Sequence, residues 1–231
     1  MYAVASMNTK NIQDLANLTD ATKKEYCQRH GYKFFVMREE DFVVITDPFS
    51  NYMDFNKPFF ILNLFNQNPD IEWLLMSECD ATITNLNVKL EDKIDNDFHL
   101  VIPVDCKNLN SGNFLIRNSE QGRNYLQKMI DRHPEYAESQ GPNSTWTDKW
   151  GIQQYIIDTI EEFAEIIKIV PQKYMNSYEP EIYDYFDVTT DILGTSGVWE
   201  KGDWIIHWPG IKNNVRVERA KRLLENDLIA R

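Results

Sequence analysis

The run Ile71-Glu-Trp-Leu-Leu-Met76 is apolar except for Glu72 and lies between Asn68-Pro-Asp and the polar Ser77-Glu-Cys-Asp80. A run this short, apolar at both alternating sets of positions, fits a strand buried on both faces. It therefore belongs at the centre of a sheet that is covered on both sides. The rest of the chain supplies such cover. Met1 to Ser6 is a second short apolar run, and Asp20 to His30 is a helical segment with Gly31 just past its end. Tyr32 to Met37 reads as a strand and Lys57 to Phe65 as a helix. This alternation predicts an α/β fold with a parallel sheet.

Further strands are expected at Leu100 to Val104, Asn113 to Ile116, Ile166 to Val170 and Asp203 to Ile206. Helices are expected at Glu120 to Arg132, Lys149 to Ala164 and Val215 to Ile229. Pro134 to Thr147, rich in Pro, Gly, Ser and Asn, reads as a mobile loop, and Tyr174 to Tyr185 as an acidic, aromatic segment. No repeat or linker divides the 231 residues, so one domain is expected.

Composition narrows the function classes. Lys plus Arg number 24 against 36 Asp plus Glu, a net charge of −12, which disfavours a basic face for nucleic acid. No apolar stretch reaches the roughly 18 residues of a membrane span, and the first residues do not form a signal peptide. Cys27, Cys79 and Cys106 lack metal-site spacing and are odd in number, which points to a reducing compartment and a soluble, cytoplasmic chain. The sequons at Asn17 and Asn143 read as chance.

Ligands of open α/β sheets bind beyond the carboxyl ends of the strands, so Ser77-Glu78-Cys79-Asp80 is the first place to look. Two carboxylates one residue apart are hard oxygen ligands that suit Mg²⁺ or Mn²⁺ bound with a diphosphate. An acidic surface turn has the same pattern. His207 closes the apolar run Trp204-Ile-Ile and can complete a Mn²⁺ site, or be an ordinary core histidine. Lys212 can neutralise a phosphate or be a plain surface lysine. In Leu109-Asn-Ser-Gly112 the glycine permits close backbone approach, while Asn110 and Ser111 offer donors to hydroxyl groups. Gln153, beside Gln154 on an otherwise apolar helix, can bind a sugar hydroxyl or simply face solvent.

Taken in order, four blocks resemble one glycosyltransferase family. They are Trp73-Leu-Leu-Met-Ser-Glu-Cys-Asp-Ala-Thr-Ile-Thr-Asn85, the Leu109 to Ser119 segment, the Gln153 helix, and Gly202-Asp-Trp-Ile-Ile-His-Trp-Pro-Gly-Ile-Lys212. The early Lys24-Glu-Tyr-Cys-Gln-Arg-His-Gly-Tyr32 block is similar as well. The family is glycosyltransferase family 34, which contains fungal alpha-galactosyltransferases and plant xyloglucan xylosyltransferases. The resemblance implies a single-domain α/β GT-A fold, Rossmann-like, with a mostly parallel central sheet. Its nucleotide-binding part would span about residues 1 to 105 and its acceptor-binding part about 106 to 231.

The same resemblance implies roles. Glu78 and Asp80 take the Asp-x-Asp positions, in which Asp80 and His207 bind Mn²⁺ or Mg²⁺ and Glu78 contacts the donor or the metal. Lys212 and Gly210 lie at the diphosphate, and Asn110, Ser111 and Asp105 at the donor sugar. Gln153 lies beside the anomeric carbon, and Lys57 reaches the donor. Ala5 and Ser6 of the first strand lie in the region that holds uracil and ribose, so the donor is a UDP-sugar and the acceptor a glycan. Family members retain anomeric configuration, which predicts transfer without a required carboxylate nucleophile. Glu78 in place of Asp, and Ile152 where relatives carry an acidic residue, depart from the family pattern. The lack of a membrane anchor fits a viral or bacterial relative, or a trimmed Golgi enzyme. Two rivals are an inverting GT-A enzyme with Asp105 or Asp148 as general base, and a non-catalytic module that stacks sugars on Trp199, Trp204 and Trp208.

Overall fold

The computed structural model describes residues 1–43, 54–138, 151–183 and 187–231. Strand β1 (Tyr2–Asn8) pairs in parallel with β2 (Lys33–Arg38) on one side and β3 (Trp73–Ser77) on the other. Next to β3 comes β6 (Asn113–Arg117), then β5 (Leu100–Pro103) and β7 (Ile167–Val170), giving the order β2-β1-β3-β6-β5-β7. β6 alone runs antiparallel to its neighbours in this sheet. The expected parallel sheet is thus mostly parallel, with one reversed strand inserted between β3 and β5.

The pleat sorts the side chains into two cores. Ala3, Ala5, Leu74, Met76, Phe114 and Ile116 face one side, while Val4, Trp73, Leu75, Leu115 and Val101 face the other. Trp73 to Met76 are fully buried, as the unbroken apolar run requires. The first face is covered by α2 (Asn56–Gln67), α3 (Glu120–Glu138) and α4 (Ile152–Thr159). On the second lie Tyr26 and Cys27 of α1 (Gln13–His30) and Trp204.

Several boundaries differ from the sequence expectation. α1 begins at Gln13, well before Asp20, because its buried stripe of Leu15, Ala16, Thr19, Thr22, Lys23, Tyr26 and Cys27 is partly polar and leaves a weak apolar period. It ends as expected on Gly31, whose φ of 72° is left-handed. α3 continues through Pro134, where a loop was expected. Proline cannot donate to the carbonyl of Ile130, but His133 Nδ1 donates to that oxygen at 3.1 Å and supplies the missing partner. The rest of the expected loop, 139–147, falls outside the described residues. α4 ends at Thr159, short of the expected Ala164, and turns carry the chain from Thr159 through Phe163 to Ile166, while the expected start at Lys149 lies outside the described residues.

The last expected strand starts two residues later, ends one later, and leaves the main sheet. β8 (Ile205–His207) pairs antiparallel with β4 (Ala81–Ile83) in a separate ribbon. Asp203 stays outside it, accepting hydrogen bonds from the Ser177 hydroxyl at 3.1 Å and the Glu200 amide at 3.0 Å. Helix α5 (Asn213–Glu225) then packs beside α1. Trp204 and Trp208 are buried, and Trp208 Nε1 donates to Glu179 at 2.8 Å, so these two are core residues and not exposed stacking platforms.

Candidate active site

Two registers bring the site together. Ser77 pairs with Asn113, and the Glu78 amide continues that ladder by donating to the Gly112 carbonyl at 2.9 Å. In the ribbon, Ala81 pairs with His207, which sets the imidazole beside Asp80. Glu78, Asp80 and His207 consequently converge, each offering one ligand atom, all within 4.8 Å of one another. His207 Nε2 is 3.2 Å from Asp80 Oδ1 and 3.6 Å from Glu78 Oε2. Gly112 is required by this approach. A Cβ there would lie 2.3 Å from His207 Cε1 and 3.0 Å from Glu78 Oε2.

The tilt of the imidazole is fixed from behind. Its Nδ1 is 2.7 Å from Asn176 Oδ1, and since the amide oxygen only accepts, Nδ1 carries the proton. Nε2 is the nitrogen aimed at the carboxylates. Two carboxylates and an outward imidazole nitrogen are a donor set that suits a divalent cation such as Mn²⁺.

Buried cations hold the turn around Glu78. Lys57 of α2 is fully buried, pairs with the Glu78 carboxylate, lies 3.4 Å from Asp54, and donates to the Ser111 carbonyl at 3.4 Å. Lys23 of α1, equally buried, donates to the Glu78 carbonyl at 2.7 Å and to Ser6 Oγ at 3.3 Å. Buried charges persist only when paired in this way. Burial pushes the Glu78 carboxyl up, but Lys57 and His207 together outweigh it and the net shift is downward. Burial likewise opposes ionisation of Asp80, and Arg216 with His207 overcomes it, holding that carboxyl well below the usual range. Burial lowers the His207 pKa, yet Asp80 and Glu78 lift it to about 9.

A second cluster lies next to the first. Asp105 Oδ1 accepts from the amides of Lys107 and Asn108, and Oδ2 accepts from Asn110 Nδ2 at 2.9 Å and from the Tyr178 hydroxyl at 3.0 Å. Asn110 Oδ1 accepts from the Gly112 amide at 2.9 Å. The Tyr178 ring meets His207 edge-on at 5.9 Å. Asp105 and Asn110 are therefore occupied in holding one another and the Gly112 backbone.

The remaining expected residues are more dispersed. Ala5 and Ser6 are buried in β1, and Ser111 is buried beside Lys57. Gly210 is exposed with a φ of 72° and Lys212 is exposed at the start of α5. Gln153 is half-buried in the first turn of α4, and Asp148 lies outside the described residues. A cavity of about 190 Å³ opens at the carboxyl ends of β1 and β3, lined by Asn8, Thr9, Glu78, Asp80 and Arg216 among others. Sequence reasoning missed Lys23, Asn176, Tyr178 and Arg216. Of these only Lys23 carried a signal, a charged residue on the buried stripe of α1.

The mixed α/β fold with its mostly parallel central sheet matches that of GT-A glycosyltransferases. The glycosyltransferase involved in glycosylation of the major capsid of PBCV-1 superposes with a TM-score of 0.71 at 15% identity, over 96% of this chain and 98% of that one. The galactosyltransferase LgtC, solved with donor and acceptor sugar analogues, superposes at 0.58 and 14% identity, over 97% of this chain and 95% of that one. Among sequences, an alpha-1,2-galactosyltransferase of Schizosaccharomyces pombe is 22% identical over 227 residues, covering 81% of this chain and 54% of its own length. A probable alpha-1,2-galactosyltransferase of the same yeast is 24% identical over 191 residues, covering 65% and 49%. The chain spans about half the length of these yeast relatives.

The sequence model of the galactosyl transferase GMA12/MNN10 family matches residues 2–97 and 93–217. The chain belongs to that family.

Proposed function

We propose that the chain is a divalent-cation-dependent glycosyltransferase that moves a hexose or pentose from a UDP-sugar to a hydroxyl of a glycan acceptor, with retention of configuration. UDP-galactose is the first donor to test, because the family and the yeast relatives are galactosyltransferases. The observation that carries the reading is the convergence of Glu78, Asp80 and His207 beyond the carboxyl ends of β1 and β3, with Glu78 and Asp80 lining a cavity there. A Mn²⁺ or Mg²⁺ ion held there would supply positive charge to a departing diphosphate.

The chain's own residues do the rest. Lys57 and Lys23 fix the Glu78 turn, and Asn176 presents His207 Nε2. Lys212, free on the surface next to the ribbon, is suited to reach the diphosphate, and Gln153 to face the anomeric carbon. Asp105 has both oxygens engaged, which suits a residue that positions Asn110 and Tyr178 and disfavours a general base. That favours the retaining reading over an inverting one through Asp105.

The test is release of UDP from a panel of UDP-sugars, with Mn²⁺ or a chelator, comparing wild type with Asp80→Ala and His207→Ala. Cation-dependent turnover of one sugar that both substitutions abolish is expected. Tight UDP binding without turnover on any acceptor would favour a binding module, and absence of UDP binding would overturn the proposal. NMR of the product's anomeric proton distinguishes retention from inversion.

A further inference from the structure

Asp80 has two neighbours that compete for its charge. Oδ1 faces His207 Nε2 at 3.2 Å, inside the group of ligand atoms. Oδ2 is taken by Arg216, whose Nη2 lies 2.8 Å away. Arg216 comes from the first turn of α5, and its Nε donates to the Trp208 carbonyl at 2.8 Å. The guanidinium is thus anchored at one end, with its outer nitrogens on Asp80 and in the wall of the cavity. Its side chain keeps 16% of its exposure, whereas Lys57 on the Glu78 side has none.

A cation that binds among Glu78, Asp80 and His207 has to share the Asp80 carboxylate with this guanidinium. The two positive charges repel across a few ångströms in a poorly solvated place, which weakens cation binding. A diphosphate in the same cavity changes the balance. Its oxygens match the planar fork of an arginine, and they attract both positive charges together.

We infer that Arg216 couples the two ligands of the site: it restrains cation binding at Asp80 until a nucleoside diphosphate draws its outer nitrogens away. The inference rests on the UDP-sugar reading above. Two effects follow from one residue. Without nucleotide, Arg216 opposes the cation; without cation, it attracts the diphosphate. Loss of the charge should therefore tighten one binding event and loosen the other, which is unlike the uniform loss caused by a damaged site. Linkage requires that the factor by which UDP tightens Mn²⁺ equal the factor by which Mn²⁺ tightens UDP.

The test measures Mn²⁺ affinity by electron paramagnetic resonance, and UDP affinity by calorimetry, each with and without the other ligand. Wild type, Arg216→Gln and Arg216→Lys are compared, and thermal melting checks that each is folded. Arg216→Gln is expected to bind Mn²⁺ alone about 5-fold or more tighter, to bind UDP alone more weakly, and to show a correspondingly smaller coupling factor. Arg216→Lys, which keeps the charge, should retain most of the coupling. If folded Arg216→Gln binds Mn²⁺ alone no tighter than wild type while UDP still binds, the coupling role is overturned and the donor reading stands. If wild type binds UDP neither with nor without Mn²⁺, the donor reading itself fails, and this inference with it.

Discussion

The two carboxylates of the site are two residues apart, yet their counter-charges are built differently. Glu78 is held by Lys57, a fully buried lysine that also meets Asp54 and the Ser111 carbonyl. Asp80 is held by Arg216, a partly exposed residue whose other anchor is a single carbonyl. Lys57 stands on α2, under the sheet, is itself fully buried, and cannot leave without abandoning Glu78, Asp54 and the Ser111 carbonyl together. Arg216 stands at the cavity wall and can reorient toward solvent or a ligand. A buried pair of the first kind fixes geometry, and a pair of the second kind is suited to exchange partners during binding.

Substitutions can break that contrast in graded steps. Lys57→Ala should have the largest effect, leaving Glu78 and Asp54 without their cation and destabilising the fold by about 3–5 kcal/mol in urea denaturation. A loss below about 1 kcal/mol would show that the Glu78 side is as adaptable as the Asp80 side. Next in size are the residues that aim the imidazole. Asn176→Ala should weaken Mn²⁺ binding about 10- to 100-fold, since it frees the His207 ring, and cost about 1–3 kcal/mol of stability, since Asn176 is fully buried and its loss leaves buried donors unpaired. Gly112→Ala, which puts a methyl group against His207 Cε1, should do the same by displacement. Equilibrium dialysis of Mn²⁺ reads both, and unchanged affinity in Asn176→Ala would remove its positioning role.

The pH dependence has a definite sign. Asp80 and Glu78 hold the His207 imidazolium, with its pKa of about 9, above the ordinary value of about 6.5. The stability this contributes in the presence of a chelator is complete below about pH 6.5 and is lost as pH rises through about 9. Cation affinity should move the opposite way, rising over the same interval, because Nε2 has to lose its proton to become a ligand. Thermal melts in chelator, repeated with His207→Gln, measure the first trend, and Mn²⁺ titrations across the interval measure the second. The smallest expected effect is on the stability of Arg216→Gln, a smaller loss than that of Lys57→Ala, since Arg216 keeps some exposure and Asp80 retains His207 as a partner.

Much of the architecture was legible because it is written in local pattern. The unbroken apolar run of β3 announced a central strand, Gly31 announced the end of α1, and the strand end after Met76 marked where the two carboxylates come together with His207. What was misjudged had non-local causes. α3 passes through Pro134, with His133 meeting the stranded carbonyl, and the start of α1 was hidden because its buried face includes Thr19, Thr22 and Lys23. The reversed strand β6 has a short apolar run, Phe114-Leu-Ile116, like those of β3 and β5 beside it, so its direction left no local mark.

The site divides along the same line. Residue type and spacing by themselves nominated Glu78, Asp80, His207 and the close approach at Gly112, because hard ligands at a strand end and a glycine before a strand are local chemical statements. Only the tertiary structure decided that Asp105 is consumed by Asn110 and Tyr178, that Asn176 orients the imidazole, and that Arg216 stands on Asp80. Those are meetings of side chains far apart in sequence. They depend on strand register and helix placement, which the packing of the whole core sets and which no single stretch of sequence encodes.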